Sequence, residues 1–297
     1  RTELVQMSVE RNPFWRYLSQ TIGLWMMRIA TVVNAGVIVA ILLYLIDHAL
    51  PALSWDFVFD SPREMMTAGG IWPCLVGTFW LAIGATVIAL PLGVCTALYL
   101  TEYGGSGRYV SAIRLAVSNL SGVPSVIFGL FGLTFFVTIC GFGVSLISGI
   151  LTLAVLALPI VINTTEAALN QVPQAWREAS LALGASKKET IFKIILPAAM
   201  PGILTGNILA LSRVAGETAA IMYTAAVFYT PEMSHSIFDP VMSLPYHVYV
   251  LATSSVDVNA TRPIQYATAF LLVLMVLSLN AVALFIRQRA QRKIARQ

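Results

Sequence analysis

Charge is what this 297-residue chain has least of. Asp, Glu, Lys and Arg together make up 11% of it, against about a quarter in an ordinary soluble domain. Hydrophobic residues make up 58% and the mean hydropathy is +0.80. A soluble fold of that composition has too little polar surface to present to water, which excludes a soluble enzyme, a disordered tail and a disulfide-rich secreted module. Cysteine is also scarce. Cys74, Cys95 and Cys140 show neither C-x-x-C nor His-Cys spacing, so they are expected to be packed thiols rather than metal ligands or bridges. The net charge of +4 is too small to imply nucleic acid. No G-x-x-x-x-G-K-[ST] phosphate loop occurs, since Gly104-Gly105-Ser106-Gly107-Arg108 lacks the closing Lys-Ser/Thr. No catalytic triad or haem-ligand pattern occurs either, so the chain is expected not to be an enzyme on its own. His48, His235 and His247 are isolated and expected on the external side of the membrane.

What the chain has in abundance is long apolar runs. Six are expected to cross a membrane as helices: Ile29 to Leu50, Ile71 to Leu100, Ala112 to Cys140, Val144 to Ile162, Gly202 to Tyr229 and Ile264 to Ile286. Each is near or above the roughly 18 residues that a spanning helix needs. They are continuous rather than alternating, which argues against a β-barrel. The first is expected to be a retained anchor. The fold class is therefore an all-α membrane protein with six transmembrane helices. A polar segment, 1–28, precedes the six-span domain, 29–286, and a basic tail, 287–297, follows it.

Positive charge is distributed unevenly. With six spans, one side receives Arg1, Arg11, Arg16 and Arg28, then Arg108 and Arg114, then Arg177, Lys187, Lys188 and Lys193, and finally Arg287, Arg289, Arg292, Lys293 and Arg296. The other side receives only Arg63 and Arg262. By the positive-inside tendency both termini are cytoplasmic. Asp47, Asp56, Asp60, Glu64, Glu232, Asp239 and Asp257 then fall outside.

The substantial cytoplasmic connection runs from about 164 to 200. Pro173 suits the start of a helix, Gly184 its left-handed end, and Ser186 with Glu189 a capping box opening a second helix. Ile191, Ile194 and Ile195 give that helix an apolar face, and Pro197 is expected to end it. Two readings stand: a connector folded back on the membrane, or a docking element for another protein, since Leu181, Leu183, Ile191 and Phe192 need a partner surface.

The run Glu178-Ala179-Ser180, three residues, Gly184, nine residues, Ile194-x-Leu196-Pro197 resembles the E-A-A-x3-G-x9-I-x-L-P loop of ABC-importer permeases, with Ser180 in place of the second Ala. The resemblance implies that Glu178, Ala179, Gly184, Ile194, Leu196 and Pro197 belong to a coupling element seated on a separate ATPase subunit. Gly69-Gly70-Ile71, Leu98-x-Leu100-Thr101-Glu102-Tyr103-Gly104, Gly122-Val123-Pro124-Ser125, Leu158-Pro159-Ile160, Thr164-Thr165-Glu166 and Arg213-Val214-Ala215-Gly216-Glu217-Thr218-Ala219 are similar to phosphate-specific importer permeases. The last motif is similar to their A-type subunit. The resemblance implies an inner-membrane permease subunit of a bacterial phosphate importer, forming half of the pathway in a heterodimer with a C-type permease. Two ATPase subunits and an extracytoplasmic phosphate-binding protein are implied as partners. The 230–263 segment is a candidate docking surface for the latter. No cofactor is expected in this chain; ATP and Mg belong to the ATPase subunits.

Arg213 and Glu217 lie inside the fifth run, where a charge costs about 2.5–3.5 kcal/mol or more. Four residues apart, they are expected to share a helix face and pair. One reading is a self-neutralising ion pair. The other is function, because Arg holds phosphate oxygens bidentately, with Glu217 restraining Arg213, blocking anion leak or pairing with an Arg of the partner permease. Thr218 is expected to bond back to its own helix. In the third run Gly122 and Pro124 suggest either a kink or a broken helix lining a cavity, which makes Asn119 and Ser125 candidates for the substrate path. Glu166 is expected to cap the coupling region, and Asn34, Asn207 and Asn280 to be interhelical contacts. Rival readings are an importer of another oxyanion or organic solute, a proton-coupled secondary transporter using Arg213 and Glu217, and a membrane-embedded enzyme.

Overall fold

The computed structural model describes residues 13–66, 68–105, 107–230, 233–254 and 258–294. Arg1, Arg11, Glu232, Asp257 and Arg296, which enter the charge distribution above, lie outside the described residues. The chain is helical almost throughout. Helix α1 (Pro13–Ala49) is followed by the short α2 (Trp55–Phe59) and a two-residue antiparallel ribbon of β1 (Pro62–Arg63) and β2 (Ala68–Gly69). Then come α3 (Trp72–Leu98), α4 (Arg108–Ser121), α5 (Ser125–Gly132), α6 (Leu146–Asn170), α7 (Gln174–Ala182), α8 (Lys187–Thr190), α9 (Leu196–Ala215), α10 (Ala219–Met222), α11 (Leu244–Thr253) and α12 (Val258–Ile294). Wide π turns extend α3 through Tyr99–Tyr103 and α5 through Leu133–Ile139, and join α8 to α9 through Ile191–Ile195. Five helices are long and apolar enough to cross a membrane, and α4 with α5 makes a sixth crossing if that pair, bent by 106°, is taken as one.

The bundle centre is α6, packed parallel to α3 and antiparallel to α9. Small residues make this possible, because without bulk at the seam the backbones approach until dispersion contacts are dense. A Cβ on Gly93 would press on Val161, one on Gly202 on Ala168, and one on Gly206 would overlap the Thr164 side chain. Ala82, Ala85 and Ala89 of α3 face Leu153, Ala154 and Ala157 of α6 in the same core. A second core closes the basic end, where Leu100, Val110, Val117, Ile162, Leu169, Ile191 and Ile195 are buried together. The third, at the opposite end, gathers Phe57, Ile71, Cys74, Met242, Leu244 and Leu251. Of the cysteines only Cys74 is packed, while Cys95 and Cys140 are exposed on the single chain.

Four boundaries differ from the sequence expectation, each for a local reason. Helix α6 runs on to Asn170, so the connection at the basic end starts eight residues later than Ile162. The polar run from Asn163 stays helical because the Thr164 hydroxyl donates to Ile160 O at 2.7 Å and Thr165 is buried. Pro197 does not end a helix: Lys187–Ala215 is one span. The π turn ahead of it, closed by Leu196 N donating to Ile191 O, widens the backbone where the proline ring would otherwise strike a carbonyl. The third run is broken rather than kinked: α4 stops at Ser121, and α5 starts afresh at Ser125 behind Pro124. The fifth ends at Gly216, well short of Tyr229.

His247 lies at the end opposite the basic one and is buried there. It sits on α11, a helix too short to span, and is only 2% exposed. Its Nδ1 lies 3.3 Å from the Thr268 hydroxyl, and burial holds the imidazole down at about 4 from an ordinary 6.5. The unfolded chain therefore binds the proton first as pH falls. Thermal unfolding in detergent should show stability full above about pH 6.5 and declining by roughly 3 kcal/mol towards pH 4. A His247→Gln protein should lack that part of the slope, and an unaltered slope would refute the assignment.

Candidate functional site

The break between α9 and α10 places the two charges predicted to pair. Gly216 leaves the helix, with Glu217 N donating to Val214 O at 3.1 Å, so Arg213 ends one helix and Glu217 lies in the connection to the next. The shared face is lost with the helix, and no ion pair joins them among the described residues. Glu217 Oε1 instead accepts a long contact of 3.4 Å from Ala220 N. Thr218 opens α10 without a capping bond from its side chain, rather than bonding back to α9.

The depth of Arg213 follows from packing. Gly202 lies against Ala168 and Gly206 against Thr164, an antiparallel register that brings Arg213 to about the level of Ala157, close to half-way along α6. Leu209, Arg213 and Gly216 are all exposed, so they form an open stripe on α9. Next to Arg213, the Ser212 hydroxyl donates to Asn280 Oδ1 at 2.7 Å, tying α9 to α12 and giving Asn280 the interhelical role expected of it. Arg213 itself has no hydrogen-bond or ion-pair partner among the described residues.

The second broken helix meets the first at this level. A Cβ on Gly129 would touch Ala220 Cα at 3.0 Å, and one on Gly132 the Thr224 methyl at 2.8 Å, so α5 and α10 run side by side in the same direction. Ser125 opens α5 and Glu217 and Thr218 stand just ahead of α10, so these three lie at the beginnings of two half-helices packed side by side, while Arg213 closes α9 before the break. Asn119 is exposed one turn before the α4 break, and its carbonyl accepts Gly122 N at 3.0 Å. Asn163, on α6, reaches the same break through Nδ2 donating to Ser121 Oγ at 3.3 Å. Sequence reasoning counted Asn163 only as the start of a loop. A cleft of about 560 Å³ lies elsewhere, between α3 and the segment from Thr230 to Met242, with Trp80, Ile150 and His235 among its walls. None of the candidate path residues lines it.

The basic end is organised around α7. Pro173 precedes it and Gly184, at φ +83°, follows it. Ser186 accepts Glu189 N at 3.2 Å while Glu189 Oε2 accepts Ser186 N at 3.0 Å, the reciprocal capping box. Lys193 Nζ also donates to Glu189 Oε1 at 3.1 Å. Glu178 and Ala179 are exposed, Ile194, Leu196 and Pro197 half-buried. Ser180, the one departure from the E-A-A pattern, is buried and its hydroxyl lies 2.8 Å from that of Thr190, so the extra oxygen joins α7 to α8. Trp176, Leu181, Leu183 and Phe192 are exposed, an apolar surface with no cover from this chain.

Two ion pairs at this end were missed. Arg177 meets Glu102 at 2.9 Å, with 15% and 9% of the side chains exposed. Arg114 meets Glu166 at 2.8 Å, so Glu166 binds α4 rather than capping the connection. One signal was available: Glu102 is the single charged residue between Glu64 and Arg108, which is unusual for a group left to solvent.

Residues 89–296 match the family of binding-protein-dependent transport system inner membrane components. The chain belongs to this family. It is a multi-pass component of a transport system and not itself an enzyme. Among its relatives, a probable ABC transporter permease protein, YqgI, of Bacillus subtilis is 31% identical, covering 94% of this chain and 98% of the relative. Phosphate transport system permease protein PstA 1 of Mycobacterium tuberculosis is 38% identical over 80% of this chain and 77% of its own. PstA of Haemophilus influenzae is 35% identical over 90% and 93%. A solved bacterial importer of the acidic polysaccharide alginate shares the fold, with a TM-score of 0.66 at 16% identity over 94% of this chain and 99% of that one.

The capping box should be measurable by itself. Ser186→Ala should weaken the first turn of α8 by about 1 kcal/mol, read as faster amide exchange at Lys187–Thr190. Unchanged exchange would refute the capping role.

Proposed function

We propose that the chain forms half of the transmembrane pathway of an ATP-driven phosphate importer and that Arg213 is the cation of that pathway. The observation that carries the reading is an unpaired guanidinium at half-depth on an open stripe of α9. Facing lipid, such a group is expensive; facing a second permease subunit across a watery path, it offers a planar fork to an anion's oxygens. The relatives named as phosphate transport permeases supply the cargo. Ser125 and Thr218 line the same level as polar groups, with Asn119 nearer the α4 break. Glu217 repels a phosphate dianion, so its role is to keep anions from leaking past when Arg213 is unoccupied, or to meet an Arg of the partner.

The implied assembly is a heterodimer with a C-type permease, two ATPase subunits seated on Glu178 to Leu196, and a phosphate-binding protein on the opposite side. ATP and Mg²⁺ act on the ATPase subunits, so this chain requires no resident cofactor. The end carrying Arg177, Lys187, Lys188 and Lys193 is the cytoplasmic one, which puts both termini in the cytoplasm of a bacterial inner membrane. A proton-coupled Arg213–Glu217 pair loses its geometric basis, since Gly216 separates the two residues onto different elements.

Radiolabelled phosphate uptake by the whole transporter tests the reading. Arg213→Gln should lower uptake by about tenfold or more while the ATPases still co-purify. Uptake at the wild-type rate would remove Arg213 from the path. Glu217→Gln should raise phosphate leak, or ATP hydrolysis without uptake; normally coupled uptake would dismiss the gating role.

A further inference from the structure

We infer that the Glu102–Arg177 pair is the positioning contact that fastens α7 to the transmembrane bundle, so that displacement of α7 is delivered to the broken helix α4–α5. This rests on the reading of α7 as the ATPase-facing element.

Helix α7 has little else to hold it. Ser180 is the one residue of its nine that is buried, and Trp176 and Leu181 point away from the bundle into the open. Arg177 compensates with one guanidinium that engages three elements. Its Nε and Nη2 donate to Glu102 Oε1 at 3.2 and 2.9 Å. Nη2 also donates to Leu169 O at 2.9 Å and Nη1 to Val172 O at 2.7 Å. Leu169 O belongs to the last turn of α6 and Val172 O to the connection just after it. One side chain therefore binds the end of α3, the end of α6 and α7 together.

The contact then continues inward. Glu102 lies in the π turn Tyr99–Tyr103. Two residues away in the same turn, Leu100 O accepts from Arg114 Nη2 at 3.0 Å, and Arg114 Nε pairs with Glu166. Arg114 is on α4, which ends at the Ser121–Ser125 break. Lys187 Nζ also stands 4.7 Å from the Tyr103 ring, so the helix after α7 is tied to the same turn. Every link is a packed, named contact, the physical basis on which coupling travels. Stability alone is a weak reason for burying such a pair, since apolar packing serves as well; a fork of four directed bonds fixes orientation, which apolar packing does not.

The test uses the complete transporter in proteoliposomes with Arg177→Ala and Arg177→Lys. With Arg177→Ala, the ATPases should remain bound, and KM for ATP and basal turnover should stay near wild type. Phosphate moved per ATP should fall by about fivefold or more. Arg177→Lys should fail to restore it, because an ammonium lacks the fork. A merely structural loss would reduce the amount of complex and scale both rates together, leaving the ratio unchanged. A second readout does not depend on the cargo: amide exchange across 174–182 should quicken about tenfold in the Arg177→Ala complex. A wild-type complex that moves no phosphate would refute the cargo reading while the exchange measurement still judges the pair. An unaltered ratio beside working wild type, unaltered exchange, or loss of the ATPases would each overturn the inference.

Discussion

The architecture depends on keeping backbone groups satisfied where two helices are broken inside a membrane. In hydrocarbon each unpaired N–H or C=O costs several kcal/mol, so irregular backbone is tolerated only where protein or water meets it. Both breaks obey this. At the first, Gly122 N donates to Asn119 O and Val123 N to Leu120 O, and Pro124, which has no N–H to satisfy, accepts Ile127 N to open α5. At the second, Glu217 N donates to Val214 O and Met222 N to Thr218 O. Small residues then bring the two half-helices together, with Gly129 on Ala220 and Gly132 by Thr224. The break residues Gly122, Pro124 and Gly216 are themselves exposed on the single chain, so their cover has to come from a partner or from water.

That arrangement frees a polar level near the centre of the bundle at small structural expense. A continuous fifth helix would have carried Glu217 one turn beyond Arg213 and neutralised it. Ending the helix at Gly216 separates them and leaves the guanidinium on the open stripe. The same chain that keeps its other cations at the basic end or in short connections thus holds one at half-depth, where it has no business in a monomer facing lipid. The exposed stripe of α9, the uncovered apolar surface of α7 and α1, whose most apolar stretch has no buried residue, are three faces of one fact: this fold is one part of an assembly.

Much of the architecture was legible from local signals. The capping box Ser186–Glu189 and the left-handed Gly184 are short-range devices, and both stand where residue type put them. Six apolar runs were visible by length, five standing as long helices and the third as a bent pair. What escaped were features decided by turn geometry or by distant partners. Pro197 reads as a helix stop, yet a π turn one residue earlier makes room for it. Gly216 reads as an ordinary small residue of a membrane helix, and nothing within four residues tells that α5 waits to pack beside α10. Glu102 and Arg177 are 75 residues apart, so no spacing rule joins them. The burial of His247 beside Thr268 of α12 escaped because isolation in sequence says nothing about packing.

The two charged layers of the chain are handled by opposite physical means, and the contrast explains how they divide the work. At the basic end, Arg177 spends all three of its guanidinium nitrogens on Glu102 and two carbonyls, and Arg114 is held by Glu166 and Leu100 O. Directed bonds of this kind fix orientation. At half-depth, Arg213 lies in the last turn of α9 with no partner among the described residues, and its hydrogen-bonding capacity is unmet. Directed, satisfied contacts in one layer and an unmet one in the other let a single helical fold hold still at one level and stay open to a partner at the other.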